Sequence, residues 1–185
     1  MIYMSSISKK TLLAIIAALS IIPLLIIFMF TDTFSGGSIH TSYIPLTIED
    51  LAKSDLIIIG RVEGIYSSIF HEGYKTRYPI TYFNVNIDKI VAGNYSSNKV
   101  KVAVMGNEKY TSSEYDELLN ETSKGKVLLF LNHAGNSSDI YGDAYLYRGY
   151  QGKFSIDENN IAHNPKYGDI PLDKLIAMIE EARNS

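Results

Sequence analysis

An apolar stretch near the start of the chain, residues 11–30, dominates its hydropathy pattern. It contains no charged residue, and only Thr11, Ser20 and Pro23 interrupt the apolar side chains. A helix of this length extends about 30 Å, which matches the hydrocarbon core of a bilayer. A segment in lipid must satisfy its backbone hydrogen bonds internally, so the pattern predicts a transmembrane helix.

The charges that flank this stretch predict its orientation. Lys9 and Lys10 precede it and Asp32 follows it. Basic residues are enriched on the cytoplasmic side of membrane helices, so residues 1–10 are expected inside the cell and residues 31–185 outside. The helix is then a retained single-pass signal-anchor. A cleaved signal peptide and a secreted domain form the alternative, although this apolar core exceeds the usual length of about 7–15 residues.

Residues 31–45 are predicted to form a flexible stalk, because they are rich in Gly, Ser and Thr and show no periodicity. Beyond it, apolar and polar residues alternate, which is typical of β-strands. Leu56, Ile58, Gly60 and Val62 share one face of the first strand, and the alternation breaks at Gly64. A glycine at such a break predicts a bulge or a bend.

Further alternating segments predict strands at residues 81–88, 99–104, 127–131, 144–148, 152–156 and 161–163. The continuous apolar run of residues 127–131 indicates burial on both faces. Polar and turn-forming residues predict loops at 67–80 and 132–143.

Three helices are predicted around these strands. Thr47 and Asp50 have the spacing of a capping box for a helix at 47–54. A second helix, which Ser113 with Asp116 can cap, is expected from Ser113 to Leu119. A C-terminal amphipathic helix is expected to start at Pro171. The sequence therefore predicts a mainly β protein with flanking helices, and residues 46–185 as an OB-like Greek-key barrel of five or six strands.

Four segments resemble a family of prokaryotic extracytoplasmic domains related to the TIMP/netrin-like OB fold. They are Ser54–Val62, Thr81–Gly93, Val100–Val104 followed by Gly106, and Lys124–Leu131. Within the prokaryotes, the resemblance points to archaeal domains. The resemblance spans residues 46–156 and rests on residues that define the fold. It implies an OB-like barrel outside the cytoplasm, and it implies no assigned activity.

The absence of cysteine separates this chain from animal TIMPs, which act through an N-terminal cysteine that reaches a protease metal. Metalloprotease inhibition is therefore not expected here. Residues 31–185 hold all 20 acidic residues and 15 of the 17 basic residues. This acidic balance argues against nucleic acid as a partner, because nucleic-acid binding needs a basic face.

Candidate chemistry is sparse. His133 is followed by Asp139 and Asp143, and a histidine with two carboxylates can hold a metal or support hydrolysis, although such a set is also ordinary in a solvated loop. No cofactor motif occurs in the sequence, and no cofactor is expected.

Tyrosines cluster between residues 141 and 150. Tyr145 and Tyr147 fall on one face of a predicted strand, with Tyr141 and Tyr150 as further candidates. Such rings can form a binding face for glycans or peptides, or they can reflect the preference of tyrosine for half-buried strands.

Three Asn-x-Ser/Thr sequons, at Asn94, Asn120 and Asn136, lie in predicted loops and are candidate glycosylation sites. Taken together, the sequence predicts a membrane-anchored, non-catalytic binding module for an envelope protein or glycan. Two alternatives stay open at this point. One is a structural or assembly subunit of a larger membrane complex, and the other is a hydrolase that uses His133 and the nearby carboxylates.

Overall fold

The computed structural model describes residues 45–70, 79–135 and 138–185 and folds them into a sheet flanked by helices. The prediction of a mainly β protein with flanking helices, one of them C-terminal, is confirmed. The predicted membrane helix at 11–30 lies outside the described residues, and so does the predicted stalk apart from residue 45. Among the described residues, every helix is too short or too polar to cross a membrane.

The sheet has eight strands: β1 (Leu56–Phe70), β2 (Pro79–Ala92), β3 (Lys99–Met105), β4 (Lys126–His133), β5 (Tyr145–Tyr147), β6 (Lys153–Ile156), β7 (Ile161–Asn164) and β8 (Gly168–Pro171). The α-helices are α1 (Ile48–Ala52), α2 (Ser113–Glu121), the single turn α3 (Ser138–Tyr141) and α4 (Leu172–Asn184). A 3₁₀ turn, Gly149–Gly152, precedes β6.

Strand β1 organises the pairing of the sheet. It is antiparallel to β2 from Ile57 to Phe70, and its first part, Leu56–Gly60, is also antiparallel to β4. β3 follows β2, and β5 pairs in parallel with β3 and antiparallel with β4. The pairings β1-β2-β3-β5-β4 therefore return to β1, while β6, β7 and β8 continue from β4.

Two apolar cores lie on opposite faces of β1 and β4. The first core takes Leu56 and Ile58 together with side chains of β2, β3, β5 and α2. The second core takes Ile57 and Ile59 together with side chains of α1, β6, β7 and α4. Residues 127–131 of β4 contribute to both cores and are each 0% exposed, which confirms the predicted burial on both faces.

The predicted break at Gly64 is confirmed, because the β1–β2 register shifts between Val62 and Gly64 and the glycine has a φ of +148°. The predicted loop at 67–80 is wrong at both ends. β1 runs on to Phe70 and β2 starts at Pro79. The β1 residues of this segment are mostly exposed, so they carry no alternating pattern, whereas Pro79 and Ile80 of β2 are both buried and for that reason do not alternate either.

The helix starts are close to the predicted ones. The capping box of Thr47 and Asp50 is present at α1, as predicted. The cap of α2 is Ser112 rather than Ser113, since the Ser112 hydroxyl accepts a hydrogen bond from the Tyr115 N–H at 3.1 Å. Either serine satisfies the sequence rule, so only the geometry distinguishes them.

Two further predictions need correction. The segment 132–143 is not all loop, because β4 extends to His133 and α3 follows. The sheet has eight strands rather than the expected five or six, and no predicted strand covers β8. Pro171 ends β8 and caps α4 instead of being its first residue. A strand as short as β8 that ends in proline carries almost no strand pattern.

Candidate functional site

The distal part of β1 carries apolar side chains that the fold leaves exposed. Ile65, Tyr66, Ile69 and Phe70, which we call the hairpin tip, are 43%, 58%, 43% and 50% exposed. Single exposed apolar residues are ordinary, but four within six consecutive positions of one strand make its outer end a candidate interaction surface. The edge of Phe70 meets the Tyr110 ring at a centroid distance of 6.2 Å, which continues the aromatic surface toward the segment before α2.

Within the described residues, the strand of the hairpin tip has a neighbouring strand on one side only. Pairing with β4 stops at Gly60, whereas pairing with β2 continues to Phe70. An edge of this kind presents backbone groups with which another extended chain can pair.

A groove of about 360 Å³ lies beside this edge, and it is lined by Ile65, Ser68, Thr81, residues 107–109 and Tyr115. The Tyr115 hydroxyl is buried and has no hydrogen-bond partner. Burial raises the pKa of this hydroxyl. Because buried hydroxyls are nearly always bonded, an unpaired one in a residue of the groove wall is consistent with a site for a further polar group.

A second candidate site, which we call the polar cleft, lies where α2 faces β6, β7 and β8. Its volume is about 420 Å³. Its ionisable and hydroxyl groups come from Glu117, Tyr150, Lys153, Ser155, His163 and Asp169. Glu117 is far in sequence from the other residues of the cleft, so only the fold brings it next to them.

Strand alternation and register explain how the cleft forms. Lys153 and Ser155 occupy alternate positions of β6, while the residues that follow each of them enter the second core. The register then places His163 of β7 opposite Ser155, and Asp169 of β8 opposite His163. A row of polar side chains therefore crosses three strands in front of α2.

Glu121 of α2 binds this row through a buried ion pair. The Lys153 Nζ lies 2.6 Å from the Glu121 Oε1, and the Ser155 hydroxyl donates to the same oxygen at 2.8 Å. The Lys153 and Glu121 side chains are only 12% and 11% exposed. The pair neutralises both charges, and Lys153 is its member in the cleft wall.

Glu117 lies one turn earlier on the same face of α2. The Tyr147 hydroxyl donates a hydrogen bond to its Oε2 at 2.7 Å. Burial raises the pKa of Glu117, and the hydrogen bond from Tyr147 and the charge of Lys153 oppose that shift. Burial also raises the pKa of Tyr147 well above its ordinary value, so this hydroxyl stays a donor.

His163 lies between two carboxylates. Its Nδ1 is 2.7 Å from the Asp169 Oδ1, and its Nε2 is 3.3 Å from the Asp157 Oδ2. The hydrogen bonds to Asp169 and then to Asp157 raise the pKa of His163. The backbone N–H of Ile161 is the main cause that lowers the pKa of Asp157.

This arrangement gives the stability a pH dependence. We expect His163→Gln to destabilise the protein more at about pH 6 than at about pH 9. The folded pKa of His163 is raised, so its contribution is fully present below the unfolded value of about 6.5 and is lost as the pH rises through the folded pKa. Thermal unfolding of both proteins across this range checks the expectation, and an equal loss at both ends would contradict it.

The residues considered for a metal do not come together as a group in the described part of the chain. The His133 Nε2 lies 3.1 Å from the Tyr145 hydroxyl, and Asp143 lies 3.7 Å from the Lys101 Nζ. The side chain of Asp139 is outside the described residues. Among the side chains that are described, no group of three or more could hold a metal ion.

The predicted tyrosine face needs correction. Tyr145 is only 5% exposed and belongs to the first core, and Tyr147 packs against the same core. Their rings therefore do not form an exposed binding surface. Tyr141 packs partly buried around Ala103 and Ala144, whereas Tyr150 lies in the wall of the polar cleft. Which face of β5 is buried becomes clear only from its pairing with β3 and β4.

The sequons lie in different settings. Asn94 is exposed in the connection between β2 and β3, as predicted. Asn120 is exposed but lies in α2, so the prediction that it is in a loop is wrong. Asn136 is outside the described residues.

No family model matches this chain, and no curated protein or solved structure matches it significantly. Both candidate sites escaped the sequence reasoning. For the polar cleft, the available pattern was the spacing of Glu117 and Glu121 by four residues together with the alternation of Lys153 and Ser155. For the hairpin tip, the pattern was apolar residues continuing beyond Gly64 into a predicted loop.

Proposed function

We propose that this chain is a membrane-anchored, non-catalytic binding module that contacts a partner protein of the cell envelope through the hairpin tip. The exposure of Ile65, Tyr66, Ile69 and Phe70 on a strand with one open edge carries the proposal. Apolar side chains next to an unpaired strand edge suit an extended protein segment, since the backbone supplies hydrogen bonds and the side chains supply specificity. A glycan partner at this surface is less suited, because the tip offers few polar groups.

We also propose that the domain is an OB-like Greek-key barrel of the TIMP/netrin-like type. The cycle of pairings that returns to β1 supports this, as do the parallel pairing of β3 with β5 and the position of α2 between β3 and β4. The relationship to archaeal extracytoplasmic domains is part of the same proposal and rests on the four sequence segments that resemble that family.

The location of the module is proposed from the sequence. The apolar stretch at 11–30 behind Lys9 and Lys10 supports a retained anchor with the folded domain outside the cell. The mass of the mature protein tests this point. A mass that includes the first 30 residues supports the anchor, whereas their loss supports secretion after cleavage.

In-cell photo-crosslinking tests the binding surface. We expect a photoreactive residue at Tyr66 to give one discrete adduct, and one at the exposed Lys174 of α4 to give none. The double change Ile69→Ser and Phe70→Ser should remove at least about nine-tenths of the adduct. It should alter the free energy of unfolding by less than about 1 kcal/mol, since both side chains are substantially exposed.

Leu119→Ser is the matched control, because Leu119 is also exposed, at 38%, but lies on α2. It should leave the adduct intact. Proteolysis followed by mass spectrometry distinguishes the class of partner, since the peptide that carries the photoreactive residue is then joined to a second peptide if the partner is a protein and to a saccharide if it is a glycan. An adduct of equal yield from Lys174, or one that survives the double serine change, would contradict the proposal.

A further inference from the structure

Hydrogen bonds within the protein fix several side chains of the polar cleft. Its Glu117 carboxylate is held by Tyr147, and Lys153 is held by Glu121. Asn164, which is 4% exposed, donates from its side chain to the Tyr150 carbonyl at 2.7 Å and to the Lys153 carbonyl at 2.6 Å. Walls fixed in this way lower the conformational cost of binding. The volume of about 420 Å³ falls in the ordinary range for small-ligand sites.

The charges of the cleft select the kind of ligand. The positive charge of Lys153 is paired with the Glu121 carboxylate, while His163 lies between Asp157 and Asp169. Glu117 and Asp169 each keep carboxylate lone pairs beyond the hydrogen bonds described above. The cleft therefore offers acceptors and repels phosphate, sulfate and carboxylate groups. A matching ligand must bring several hydrogen-bond donors and no negative charge.

The remaining wall is formed by Tyr150 and Pro165. These side chains add apolar surface next to the row of acceptors. A sugar ring combines these two requirements, because its hydroxyls donate to carboxylates while its C–H face packs on aromatic and apolar side chains. We propose that the polar cleft is a binding site for a neutral sugar residue, separate from the hairpin tip and independent of its partner.

Ligand-observed NMR on the full chain tests this site. The chain should be held in lipid nanodiscs, because maltoside and glucoside detergents carry sugars themselves. The probes are glucose, mannose, galactose and N-acetylglucosamine, with glucuronic acid as the anionic comparison and spermidine as the cationic one. We expect at least one neutral sugar to bind with a Kd of about 1 mM, and glucuronic acid to bind at least about tenfold more weakly than that sugar.

Two variants locate the binding in the cleft. Asp169→Asn and Glu117→Gln should each weaken it at least about tenfold, since each loses a charged acceptor. Asp169 has a side-chain exposure of 72%, so its variant should remain folded even if Glu117→Gln is destabilised. Glu180→Gln, on the exposed face of α4, is the control that should bind as the parent does.

Three outcomes would overturn the proposal. The first is no binding of any neutral sugar at about 50 mM, far above the expected Kd. The second is glucuronic acid or spermidine binding as tightly as the best neutral sugar. The third is binding that Asp169→Asn in a folded protein leaves unchanged. None of these results bears on the crosslinking at the hairpin tip, so the two proposals can fail separately.

Discussion

Replacing Lys153 by methionine should lower the free energy of unfolding by about 3–5 kcal/mol. Methionine keeps most of the length and apolar surface of lysine, so the main loss is the positive charge. The Glu121 carboxylate, in a side chain only 11% exposed, is then left with the Ser155 hydroxyl as its described partner. A buried carboxylate without a countercharge is costly because the surrounding protein replaces little of its lost hydration. Denaturant unfolding of the two proteins measures the difference.

Two comparisons separate this effect from a general loss of charge. Lys53→Met removes a lysine whose side chain is 73% exposed in its pair with Asp50, and it should cost less than about 1 kcal/mol. The double change Lys153→Met and Glu121→Met should recover most of the stability, because the buried Glu121 carboxylate is then removed together with the lysine that neutralised it. A Lys153→Met protein as stable as Lys53→Met would show that water reaches the Glu121 carboxylate.

The parts of the fold that the sequence predicted correctly are those determined by one requirement, such as the burial of a strand face or the capping of a helix. Phe83 and Val85 alternate with polar residues because β2 has one buried face, and residues 127–131 are continuously apolar because β4 has two. The capping box at Thr47 is a local pattern that needs no tertiary information. Each of these patterns determines a structure without knowledge of what packs against it.

The missed parts depend on contacts between distant segments. The outer half of β1 is held by its pairing with β2, and its exposed side chains carry no periodic pattern. The position of β8 is determined by its pairing with β7 and by α4, which begins directly after it. Local composition predicts neither, because turn-rich and exposed-strand sequences look alike.

The sites follow the same division. The tyrosine face failed because alternation places Tyr145 and Tyr147 together without showing whether their common face is inside or outside. The polar cleft depends on the β6–β7–β8 register and on α2, which are formed by residues from 113 to 171. A sequence can indicate which residues share a face, but the sheet order decides what that face meets.

The second large effect is expected at Gly60, where β1 has strands on both sides. Gly60 pairs with Ile87 of β2 and with Val127 of β4, and the β1–β4 pairing ends there. A Cβ atom at this position would overlap the backbone carbonyl oxygen of Asn86 and lie 3.2 Å from a methyl of Val85. We therefore expect Gly60→Ala to lower the free energy of unfolding by at least about 3 kcal/mol, since backbone atoms on a central strand cannot move aside cheaply.

Gly142→Ala is the matched control for this prediction. Gly142 has a φ of +61°, but a Cβ there would meet nothing within 4 Å. Its cost should come from the backbone conformation alone and reach about 1–2 kcal/mol. The additional loss of unfolding free energy for Gly60→Ala then measures the cost of forcing β1 and β2 apart at Gly60, where the cycle of pairings closes. Equal costs at the two positions would mean that β2 can shift away from β1, and the expectation of a rigid approach at Gly60 would be wrong.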